Sequence, residues 1–242
     1  MRKIAVLLAT AALLTPSQTP PAFTKADFER WMEELSNWGR WGASDELGAL
    51  NLITPEKRRR AARLVRDGVT VSLSHRAEKE KSADNPRPFT HEMLSTGATA
   101  GAQAHSDAFT VAHHSLAHTH MDALRHFFWN DRMYNGVTRG VVTERGAAKL
   151  SVYNARHGIF TRAVLMDIPR LKGVPYLEPG TPIYPADLDA WEKQARVRVE
   201  PGDAVLIRTG RWARRAHRAH RVRTARPNAD LEKIENRDCH SR

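Results

Sequence analysis

The 242 residues predict a mixed α/β domain, and three observations carry that expectation. Short alternating or apolar runs suited to strands (residues 69–75, 162–168 and 203–209) are interleaved with segments of helical spacing (27–37, the stretch after Thr54, and 187–194). A hydrophobic content of 41% over this length supplies a core. No unit of about 20 to 50 residues repeats, so the chain is not a solenoid.

In chain order, Arg2 and Lys3 precede an apolar run from Ile4 to Leu14 and then a Pro/Ser/Thr-rich stretch. That layout predicts a signal peptide over 1–22 and a periplasmic or secreted protein, or a cytoplasmic one if the leader is not processed. The apolar run is too short to span a bilayer as a helix. Phe28, Trp31, Met32 and Leu35 then recur at helical spacing, which predicts a helix over 27–37 that buries its aromatics in the core. Trp31, Trp38 and Trp41 alternatively line a pocket for a flat ligand. Thr54 followed by Pro55 and Glu56 is a helix start, and Gly68 marks the exit. Residues 69–75, VTVSLSH, alternate as a half-buried strand does. Residues 78–103 are rich in Ser, Pro, Asn, Thr and Gly and read as a long excursion over a site. Asn135-Gly136 signals a tight turn, and the strand, helix and strand near 162–168, 187–194 and 203–209 follow.

The formal charge of +11 invites a nucleic-acid or anionic-surface reading, but its location argues against one for the folded part. Residues 213–242 hold eight arginines and one lysine against four carboxylates, a net +5. Apolar periodicity stops abruptly there, so the domain is expected to span 23–212. The Arg/His-rich tail is then either a basic interaction segment, through which nucleic acid is the least favoured partner, or sequence that no longer encodes the fold, as after a reading-frame change. Cys239 is the sole cysteine, which excludes an intramolecular disulfide and a thiolate metal cage.

The chemistry concentrates in AHTHMDALRHFF, residues 117–128. In an extended segment His118, His120 and Asp122 share one face, whereas in a helix His120 points away from the other two. A chelating cluster therefore favours an extended backbone, with His126 returning to the mouth of the site. Imidazole and carboxylate donors suit zinc, manganese or ferrous iron and leave coordination positions for water and substrate. Twelve histidines in the chain also allow the bland alternative of surface or hydrogen-bonded histidines.

THMDALRHFFWNDRMYNG, residues 119–136, resembles the metal-dependent cyclase family, which includes bacterial kynurenine formamidase and isatin hydrolase. RWGASDELGALNLITPEKRR (40–59) and PGDAVLIRTGRW (201–212) resemble two further blocks of that family in the same order. The resemblance implies a swivelling β/β/α single domain, assembled as a homodimer or homotetramer. The implied activity is hydrolysis of the C–N bond of a small-molecule amide, an N-formyl aryl amine or a cyclic amide, with zinc or manganese. It also implies His120 and Asp122 as metal ligands and His126 as general acid/base. Leu116 stands where formamidase-type members carry a further histidine ligand. His118 is the favoured replacement by the parity of side chains, and His114 is the alternative. Nothing after Trp212 resembles the later family segment with its own His and Glu, so the C-terminal part of the fold is expected to be incomplete. A catalytically inactive relative that binds a small molecule is the rival expectation.

Overall fold

The computed structural model describes residues 23–101 and 103–217, so the expected signal peptide and most of the basic tail lie outside the described residues. Among the described residues the chain forms three two-stranded sheets and a few short helices, the mixed α/β class predicted from sequence. No helix among them is long and apolar enough to cross a membrane.

The best-packed part is a βαβ-like unit. Strands β5 (Ala163–Asp167) and β6 (Ala204–Arg208) pair in parallel, Ala163 opposite Ala204 through Asp167 opposite Arg208. Helices α3 (Ile168–Leu171) and α4 (Pro185–Ala195) form the crossover between them. Alternation within β5 sends Val164 and Met166 inward, where they pack with Ile168 and Trp191. Trp191 completes the contact by donating Nε1–H to the Leu165 carbonyl at 2.7 Å. Helix α4 begins where Asp187 accepts the Tyr184 backbone N–H at 2.9 Å, which satisfies a donor at the helix start.

The second core cluster lies near the histidine segment. Met133, Tyr134 and Leu150 are buried, with Val137 and Val141 against them. Helix α2 (Pro55–Ala62) is capped by Thr54 Oγ1 accepting from the Lys57 N–H at 3.1 Å. Its Lys57 is 4% exposed, and its ammonium pairs with the fully buried carboxylate of Asp203, which Arg162 also grips. Burial pushes the Asp203 carboxyl up, but hydrogen bonds from Arg162, Lys57 and the Glu200 N–H outweigh it and hold the group well below the usual carboxylate range. Beside it the backbone of Gly202 has φ +80°, and a Cβ there would lie 2.3 Å from the Leu52 carbonyl oxygen, so only glycine lets the turn before β6 approach the chain just ahead of α2.

Three expectations are corrected. Helix α1 (Lys25–Glu34) forms close to the predicted span, but it buries none of its residues: its aromatics lie at the surface, Phe28 edge-on to Trp129 with 5.1 Å between centroids and Trp31 against Phe23 at 5.6 Å. Residues 69–75 pair with no strand among the described residues, and Val69, Val71 and Leu73 stay 77%, 76% and 77% exposed. Alternation encodes an amphipathic segment, but without a neighbouring ladder it has no face to bury. The excursion over 78–103 contains a strand, β1 (Thr90–Ser95), which pairs antiparallel with β2 (Ser106–Thr110). The smallest sheet is the hairpin of β3 (Val142–Thr143) and β4 (Gly146–Ala147). Residues 211–217 are helical, and Arg214 there donates to Glu178 at 2.7 Å.

Candidate metal centre

The candidate site is built on residues 113–126, and its shape comes from two local bends. Residues 114–118 form a bend in which the Ser115 N–H reaches the His113 carbonyl at 2.7 Å and the Ala117 N–H reaches Ser115 Oγ at 3.2 Å. The chain then runs through 119–123 without regular structure, and a single 3-10 turn over Leu124–His126 brings His126 back toward the start. One donor atom each from His114, Asp122 and His126 lies within 4.8 Å of the others. His114 Nδ1 sits 2.7 Å from Asp122 Oδ1, and its ring centroid is 3.9 Å from that of His126.

His120 approaches from the other side, its Nε2 3.6 Å from the same Asp122 oxygen. Its Nδ1 is 2.8 Å from the His118 carbonyl. A carbonyl only accepts, so Nδ1 carries the proton and the neutral ring presents an Nε2 lone pair to the cluster, the usual orientation of a metal-binding histidine. Burial first, then the nearby His114 and the Arg125 charge, lowers the pKa of His126 against the opposing pull of Asp122, which keeps its ring neutral and able to accept a proton.

His114, His120, Asp122 and His126 are thus brought together, whereas His118 is not in the group. It is 8% exposed, and neither ring nitrogen has a hydrogen-bond partner among the described residues. The parity expectation assumed an extended segment, and the bend over 114–118 breaks it, burying His118 and returning His114 to the cluster. His113, which sequence reasoning did not select, lies tilted at 45° beside His114 with 4.1 Å between centroids. Two imidazoles and a carboxylate, His114, His120 and Asp122, are a fitting donor set for zinc or manganese, with the His126 imidazole beside them.

Beside the donors is a cavity of about 280 Å³ that Asp122 lines together with apolar side chains such as Leu47, Leu50, Met121 and Ile159. Glu46 and Asn154, which the sequence did not mark, line it as well. The N-terminal block that contains Glu46 is fastened by side chains to the turn at Tyr134 and Asn135, which follows the histidine segment. Asn135, at φ 55°, accepts the Gly39 N–H at 2.8 Å and donates to the carbonyls of Gly42 and Asp45, both at 3.0 Å. Tyr134 donates its hydroxyl to Asp45 at 2.9 Å, and burial followed by this partner pushes the phenol up to about 12.

This geometry defines a mixed α/β protein with a histidine–carboxylate donor set beside an apolar cavity. The family model described as "Putative cyclase" matches residues 71–235, about two thirds of the chain, and the chain belongs to that cyclase family. A crystal structure described as that of a novel cyclase is similar, at 34% sequence identity and a TM-score of 0.67 over 74% of this chain. The chain spans 62% of that protein's length. The mixed α/β fold is therefore the cyclase fold, as the three sequence blocks implied. No protein of curated function matches the chain.

Proposed function

We propose that the chain is a metal-dependent hydrolase that cleaves the C–N bond of an amide, an N-formyl aryl amine or a cyclic amide, with water as nucleophile. The observation that supports it most is the convergence of His114, His120, Asp122 and His126 at the edge of an apolar cavity large enough for a ring. His114, His120 and Asp122 would hold zinc or manganese. A divalent cation bound there supplies Lewis acidity, polarising the scissile carbonyl and lowering the pKa of water. His126, neutral by its surroundings, accepts the proton of the attacking water. The same proton then passes from His126 to the leaving nitrogen as the C–N bond breaks, giving a carboxylic acid and an amine. The apolar wall of the cavity excludes water from the ring and orients the amide toward the donors. Assembly as a homodimer or homotetramer and export through the N-terminal leader belong to the same proposal.

A second reading, an inactive relative that binds a small molecule, is favoured by one observation: the grouped donors among the described residues all come from one short segment, 114–126. Elemental analysis of the purified full chain, beside Asp122→Ala, His114→Ala and His118→Ala, separates the cases. The parent and His118→Ala are expected to carry metal and the other two to lose it. Negligible metal in the parent and in Asp122→Ala alike would sink the metal assignment. Metal retained with no hydrolysis of N-formylaniline or an aromatic cyclic amide would favour the inactive relative.

A further inference from the structure

Glu46 lines the same cavity as Asp122, and its two carboxylate oxygens are in different situations. Oε2 accepts the Leu150 backbone N–H and the Asn154 Nδ2–H, each at 2.7 Å. Leu150 is 1% exposed and held at φ 57°, a conformation that a branched side chain rarely adopts, so the loop that clamps Glu46 is itself tightly determined. Oε1 has no hydrogen bond, and Glu46 has no ion pair, among the described residues. The carboxylate is therefore fixed in place by one oxygen, while the other is unpaired on a residue that lines the cavity.

The cavity is otherwise mostly apolar, so an occupant decides whether that oxygen is satisfied. A ligand that places an N–H against Oε1 gains a charge-assisted hydrogen bond. A ligand of the same shape without the N–H strips water from the carboxylate and returns nothing, which costs more than the missing bond alone. We infer that Glu46 is a specificity-determining residue whose free oxygen selects ring compounds bearing an N–H donor, such as an arylamine, anilide or lactam, over isosteres that lack one. This deepens the proposed amide hydrolysis and rests on it for the chemical sense of the selection: the N–H recognised is that of the substrate's nitrogen-bearing ring.

The test is calorimetric titration of the full chain with indole and with benzofuran, two bicycles that differ by N–H against O. The parent is expected to prefer indole by about tenfold, a modest value because Glu46 is only half-buried. In Glu46→Gln the single amide oxygen still accepts both loop bonds, while the amino group replaces the free acceptor with a donor. The preference should then fall to parity or reverse. Because the ratio is taken within one protein, a partly unfolded sample lowers both affinities alike. Equal binding of the two ligands by the parent, or an unchanged ratio in Glu46→Gln, would overturn the assignment. Should Glu46→Gln not fold, the parent's ratio still decides, and a preference below about twofold overturns it. Failure of amide hydrolysis with the indole preference intact would count against the hydrolase reading alone, and hydrolysis without the preference would count against Glu46 alone.

Discussion

Replacing Asp203 with Asn removes one charge from the junction of α2 and β6 while keeping nearly the same shape. Its carboxylate is fully buried and answers Lys57, 5% exposed, and Arg162, 30% exposed. Deleting one partner of a buried ion pair costs about 3–5 kcal/mol, because the remaining charge is left in a poor solvent. Two features bring this case to the lower end. Lys57 keeps Glu200 at 3.5 Å, and Arg162 is partly solvated and still donates to the Arg198 carbonyl at 2.6 Å. A loss of about 3 kcal/mol is therefore expected, equivalent to about 6–12 °C in Tm for a domain of this size. Urea unfolding followed by tryptophan fluorescence should show a lower midpoint with an unchanged slope. The pH dependence carries a second signature. A carboxyl depressed in the folded state stabilises above its unfolded value, 3.8, and that contribution is lost as pH falls through the folded pKa. The gap between parent and Asp203→Asn should thus be full at neutral pH and narrow below 3.8. A difference under about 1 kcal/mol at neutral pH, or a gap that does not narrow in acid, would refute the buried-pair account.

Two further outcomes follow from the same physical chemistry. Asn135→Ala removes three hydrogen bonds between the turn at Asn135 and residues 39–45, and should lower stability by about 2–3 kcal/mol in urea unfolding, with no effect if the clamp does not form. Gly202→Ala places a methyl group 2.3 Å from the Leu52 carbonyl at a positive φ, so it should destabilise by more than the roughly 1–3 kcal/mol of backbone strain alone, read as a drop in Tm beyond that of Gly180→Ala, where φ is also positive but nothing lies within 4 Å.

Elements set by local rules were legible in the sequence. The Thr54-Pro55 start gave α2, and the apolar runs gave β5 and β6 within a residue or two. Periodicity failed where burial depends on a distant partner: it gave helix α1 its span but not its surface position, and it gave residues 69–75 their alternation but not a neighbour to pair with. The site divides similarly. His120, Asp122 and His126 stand out by residue type and motif, whereas the choice between His114 and His118 turns on a bend over 114–118 that parity cannot foresee. Glu46 gave no local signal because its partners, Leu150 and Asn154, are more than 100 positions away.

That distance has a consequence for how the molecule is made. Residues 39–57 meet their fixed partners only at Tyr134, Asn135, Leu150, Asn154 and finally Asp203. During synthesis this early block emerges with the Glu46 carboxylate and the Lys57 ammonium unanswered, and at about 5–20 residues per second it waits on the order of ten seconds for the segment carrying Asp203. Closing such long loops is slow, so the N-terminal block should be among the last parts to acquire protection from hydrogen exchange. The carboxylate of Asp203 then acts as a latch, binding an early-made helix to a late-made strand.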